Sequence, residues 1–74
     1  MRYRIMLVVN GEPVDLIGIH TGNRLTIITD DGMYIAYLDP SYSNIHDAIK
    51  DAVLKWGCIY LPELWFYVGA EKLD

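Results

Sequence analysis

Apolar and polar residues alternate with a period of two along the first half of the chain, interrupted at Asn10-Gly11, Gly22-Asn23 and Asp31-Gly32. Successive side chains of a strand point to opposite faces, so this period predicts strands. Asn-Gly and Asp-Gly suit type I′ hairpins, because both central residues of that turn take positive φ. A two-residue loop at Asn10-Gly11 sets Leu7 opposite Val14, Ile5 opposite Leu16 and Tyr3 opposite Gly18, a clean apolar face. On the other face Met6 meets Asp15, Arg4 meets Ile17 and Arg2 meets Ile19. Pro13 falls just after the turn, where an outer edge tolerates a missing donor. The same construction at Asp31-Gly32 pairs Leu25 with Leu38, Ile27 with Ala36 and Thr29 with Tyr34. Its opposite face pairs Ile28 with Ile35 and Thr26 with Tyr37. Residues 2–38 thus read as a four-stranded antiparallel meander.

The period then changes. Pro40 ends the last strand, and Ile45, Ala48, Ile49, Ala52, Val53 and Trp56 recur at helical spacing. Ser43 or Asn44 is the expected N-cap, and Asp47 sits in the first turn, where the helix dipole favours an acid. Asp51 and Lys55 stand at the supportive i,i+4 spacing on the polar side. Gly57 is the expected residue just past the helix end, with Cys58 following it. After Pro62 the run "ELWFYV" has strand composition, with Leu64, Phe66 and Val68 on one side and Trp65 and Tyr67 on the other, so on joining the sheet it adds either Trp65 with Tyr67 or Leu64 with Phe66 to the face away from the helix. The predicted order is β-β-β-β-α-β. This is an α+β fold: an antiparallel sheet of four to five strands with one helix on one face, in a single domain over residues 1–74.

One helix covers one face of a sheet. The face bearing Tyr3, Ile5, Leu7, Val9, Val14, Leu16, Leu25, Ile27, Ala36 and Leu38 should receive it, with Trp56 at the rim. The second face then carries Met6, Val8, Ile17, Ile19, Ile28, Ile35 and Tyr37, interrupted by Arg2, Arg4, Asp15 and Thr26. Antiparallel sheets that face water alternate more strictly than this. Five of the nine aromatic residues also fall between Trp56 and Tyr67, more oily surface than one small core can use. Either the sheet curls into a half-barrel that buries both faces, or the second face is an interface. On the second reading Met6, Ile17, Ile28, Ile35, Tyr37, Trp65 and Tyr67 are the expected partner-binding residues. A protein partner, a second copy of the chain, or both would cover them.

Composition narrows the partner. The 74 residues carry a net charge of −4, and only 22% of them are charged, with the acids scattered. A nucleic-acid binder normally presents a basic face, and a DNA mimic dense carboxylate rows, so direct nucleic-acid contact is not expected. No apolar stretch approaches a membrane span, and the short run in "MRYRIMLVVNGEP" ends in a turn rather than a leader's cleavage site. Cys58 is the only cysteine, so no disulfide can form within the chain, and a lone thiol fits the reducing cytoplasm. A domain this small gains from a helper, and oligomerisation or partner binding is the one left.

Catalytic chemistry is not evident. His20 beside "TGN" and His46 in the first helical turn lack metal-ligand spacing, and no cofactor is expected. Cys58, after a helix end, reads as a small buried hydrophobe. Asp30 and Asp31 read as turn residues, and neither "GEPVDLIG" nor "TGN" has phosphate-loop spacing. Tyr3, Tyr34 and Tyr37 could stack bases, but the basic groove is missing, and cross-strand packing accounts for them. The expectation is a non-enzymatic protein-interaction module. A homo-oligomeric structural subunit is one alternative. A ligand-binding domain with a pocket near Tyr34, Tyr42, Trp56 and Trp65 is another.

The stretch "AIKDAVLKWGCIY", a helix of spaced alanine and aliphatic residues closed by Trp-Gly and followed by a tyrosine, resembles the small type I anti-CRISPR proteins of phages. The likeness covers residues 48–60, and no functional residue carries over. It implies an inhibitor, acting in the host cytoplasm, that blocks a host defence nucleoprotein complex by occupying its surface.

Overall fold

The computed structural model describes residues 1–62 and 64–74. Strands β1 (Arg2–Val9), β2 (Glu12–Thr21), β3 (Arg24–Thr29) and β4 (Gly32–Tyr37) are followed by helix α1 (Ile45–Tyr60) and strand β5 (Trp65–Lys72). Of the expected strand beginning at Glu63, that first residue lies outside the described residues. The five strands form one antiparallel sheet in the order β4-β3-β2-β1-β5. The chain therefore leaves the sheet at one edge, crosses it as α1, and returns at the opposite edge. The fold is α+β.

The first hairpin has the register that the Asn-Gly turn dictates, with Leu7 opposite Val14 and Tyr3 opposite Gly18. Asn10 and Gly11 both take positive φ, 52° and 80°. In the hairpin between β3 and β4 the pairing differs from expectation by two residues, placing Leu25 opposite Ala36 and Ile27 opposite Tyr34. Here Asp30 and Asp31 make the bend, and Gly32 takes the positive φ that follows it. Thr29 locks this turn: its Oγ1 accepts from Asp31 N at 3.2 Å and donates to Gly32 O at 3.1 Å. A two-residue shift keeps every side chain on its face, so the apolar surface is unchanged.

Helix α1 starts at Asn44, whose extended backbone is that of an N-cap and whose Oδ1 accepts from His46 N at 2.8 Å. Its buried stripe of Ala48, Ile49, Ala52, Val53 and Trp56 meets Tyr3, Ile5, Leu7, Leu25, Ile27 and Leu38 of the sheet. Burying side chains such as Ile49 and Val53 contributes roughly 1.5–3 kcal/mol each. Trp56, expected at the rim, is part of this core.

The helix does not stop at Gly57. It runs one turn further, to Tyr60, and closes where Leu61 N donates to Gly57 O at 2.9 Å. Gly57 is present for packing: a Cβ there would overlap Cζ2 and Cη2 of Trp65. The extra turn also places Cys58 on the solvent side of the helix, so it is exposed rather than a core residue. No helix among the described residues is long and apolar enough to cross a membrane.

Candidate functional site: the open face of the sheet

The core uses one face of the sheet, and no element among the described residues covers the other. Cross-strand registers define that open face row by row. One row runs Glu71, Arg4, Ile17, Ile28 and Met33; the next runs Arg2, Ile19, Thr26 and Ile35; Arg24 and Tyr37 end it at one corner. At the opposite corner Phe66 lies beside Val8 and Gly69 beside Met6. Met33 is 71% exposed, Tyr37 65% and Phe66 60%, so the sheet does not curl to bury this surface.

The polar groups are placed with equal regularity. All three arginines of the chain, Arg2, Arg4 and Arg24, sit at positions facing this side. Arg4 pairs with Glu71 at 2.7 Å. The hydrogen bond to Glu71, then its charge and that of Asp15, hold the Arg4 guanidinium above its ordinary pKa. Arg2 pairs with Asp74 at 3.0 Å. Among the described residues Arg24 has no ion-pair partner. The line Glu71–Arg4–Asp15 divides the face into two apolar lobes. One holds Val8, Met6, Phe66 and Val68; the other holds Ile17, Ile19, Ile28, Met33, Ile35 and Tyr37. Tyr, Met and Arg around an apolar centre are the residues enriched in protein–protein contacts.

Five of the seven expected partner-binding residues, Met6, Ile17, Ile28, Ile35 and Tyr37, come together on this face. Trp65 and Tyr67 do not. Pairing of Val8 with Phe66 sends Phe66 to the open face and its two neighbours to the helix side, where both pack against the core. Partial burial there raises the Tyr67 phenol above its ordinary pKa. Val68 is an extra residue between the Met6–Gly69 and Leu7–Tyr67 pairs, a β-bulge that returns Glu71 to the open face beside Arg4. Val68 and Met33 are members that the sequence reading did not point out, and Phe66 takes the place that the sequence left open between it and the pair Trp65 and Tyr67. Met33 stands two residues from Ile35 and shares its face in either register, so the alternation of β4 carried its signal.

The groups of possible catalytic interest are dispersed. His20 shares a hydrogen bond with Gly22 O at 2.7 Å, and His46 lies edge-on to Tyr3. Asp30 and Asp31 stay at the hairpin tip. No cluster of three or more potential metal ligands occurs among the described residues. The expected pocket is split: Tyr34 and Trp56 line a cleft of about 190 Å³ with Tyr60 and the Asp30-Asp31 turn. Tyr42 lines a separate hollow beside Pro40, and Trp65 a third with Val8 and Phe66. No protein family, characterised protein or solved structure matches this chain.

Proposed function

We propose that this protein is a non-enzymatic interaction module that binds another protein through the open face of its sheet. The observation that supports this reading is the exposed apolar surface of that face, one lobe around Phe66 and a larger one from Ile17 to Tyr37, with the charged line through Arg4 between them. Contiguous apolar patches beyond a few hundred Å² on an otherwise closed fold mark interaction sites. The resemblance of residues 48–60 to small type I anti-CRISPR proteins narrows the proposal to an inhibitor that occupies the surface of a defence nucleoprotein complex.

Phage plating on a bacterium with an active type I CRISPR system tests the narrower target: the wild-type chain should restore plating. Ile17→Lys with Phe66→Lys should abolish that effect while circular dichroism stays native. Quantitative affinity capture with the same pair tests the broader reading. A double variant that is folded and keeps every partner of the wild type would overturn the open face as the binding surface.

A further inference from the structure

The sheet has two edges, and they are built differently. The β5 edge is managed: it carries a bulge at Val68 and the charges of Glu71 and Lys72. Bulges and charges are the usual devices that stop an edge from pairing with another strand. The β4 edge, "GMYIAY", has no charge, no proline and no bulge. Every other strand of the sheet carries at least one charged residue.

Its free backbone groups can be assigned. Antiparallel pairing alternates residues that bond to the neighbour with residues whose N–H and C=O point away. A tight hairpin closed by Thr29 and Gly32 directs Gly32, Tyr34 and Ala36 at β3, and Leu38 N continues that alternation by donating to Asn23 O at 2.7 Å. Met33, Ile35 and Tyr37 are left with outward-facing groups, and their side chains lie exposed on the open face. On the helix side of the same edge, Ile59 and Tyr60 line a shallow groove with Ala36 and are 74% and 55% exposed. Among the described residues the edge is therefore a row of donors and acceptors without backbone partners, with exposed apolar side chains above it and Ile59, Tyr60 and Lys55 below.

We propose that β4 is the contact between two copies of this chain, which pair antiparallel about a twofold axis at Ile35. Ile35 then faces its own counterpart, and Met33 faces the partner's Tyr37, through about six backbone hydrogen bonds. Within Gly32–Tyr37 this register brings no like charges together. The same axis sets Ile59 and Tyr60 near their counterparts on the helix side. The five side chains this contact would shelter, Met33, Ile35, Tyr37, Ile59 and Tyr60, are each more than half exposed in the single chain. Two sheets become one of ten strands, and the open face doubles in width. The acids that flank the strand, Asp30, Asp31 and Asp39, come near the partner's at both ends, so added salt should tighten the pair. This contact uses the sheet edge and holds whichever partner the open face binds.

The test is cysteine crosslinking in a Cys58→Ser background, with solution mass measured by sedimentation across protein concentration and salt. Ile35→Cys should crosslink to itself in high yield, and the wild type should show a dimer that strengthens with salt. Ile17→Cys, on the open face away from the edge, should not crosslink. A wild-type chain that remains monomeric to high micromolar concentration overturns the proposal. So does a dimer that crosslinks at Ile17→Cys and not at Ile35→Cys, because that pattern places the contact face to face. A monomer leaves the open-face reading untouched, whereas a face-to-face dimer would make a second copy the occupant of that face; the Ile17→Lys and Phe66→Lys pair tests that reading separately.

Discussion

Trp65 lies across Gly57, its ring filling the space that any side chain at that helical position would need. The contact ties the last strand to the last turns of the helix. Gly57→Ala should therefore destabilise the protein by about 1–3 kcal/mol through overpacking, despite the roughly 1 kcal/mol that alanine gains over glycine in a helix. Urea denaturation reads the difference. Combining Gly57→Ala with Trp65→Leu should recover part of it, and equal losses in both variants would refute the steric account.

The two faces should respond oppositely to truncation. Ile49 is fully buried, so Ile49→Ala should cost about 2–5 kcal/mol. Phe66→Ala removes a larger side chain from the open face and should cost less than about 1 kcal/mol of folding stability. Equal losses in chemical denaturation would mean that Phe66 is core.

Cys58 should react with a thiol reagent in the native protein at a rate near that of a free thiol, because the helix presents it to solvent. Labelling that waits for denaturant would place the thiol in the interior.

Acid should act in part through Asp39. Hydrogen bonding from Ser41, whose N donates at 2.9 Å, holds the Asp39 carboxyl below the usual carboxylate range. A carboxyl depressed in the folded state adds stability above its unfolded pKa, near about 4, and loses it as pH falls through the folded value. Melting temperature should consequently fall less between pH 5 and pH 2, roughly, for Asp39→Asn than for the wild type. Parallel curves would show that Ser41 leaves the carboxyl unperturbed.

Much of this fold was legible in the sequence, and the parts that were not share a cause. Asn10-Gly11 carries its turn type in its residues, so one hairpin's register followed from local chemistry. The helix stripe from Ile45 to Trp56 needed only its period. The second hairpin went astray because Asp30-Asp31 and Asp31-Gly32 are both plausible bends, and the hydroxyl of Thr29 decides between them. Gly57 read as a helix end because a glycine that makes room for a distant ring looks, in sequence, like one that ends a helix. The sides taken by Trp65 and Phe66 depend on where β5 joins the sheet, which no local pattern encodes. The open face was legible as a surplus of isoleucine and tyrosine interrupted by Arg2, Arg4 and Asp15, while the pairing of those arginines with Asp74 and Glu71 depends on where the end of the chain joins the sheet.

The pairing of β1 has a consequence for how the chain comes together. β1 sits inside the sheet, between its immediate successor β2 and the last strand, β5. During synthesis the meander can form as it emerges, but Ile5 and Leu7 keep an unpaired flank until some sixty further residues have followed. That closure is the most non-local step in the topology, and non-local pairing is slow. Until it occurs, the nascent sheet has two reactive sides instead of one, and the interval before β5 docks is when misassembly between chains is most favoured.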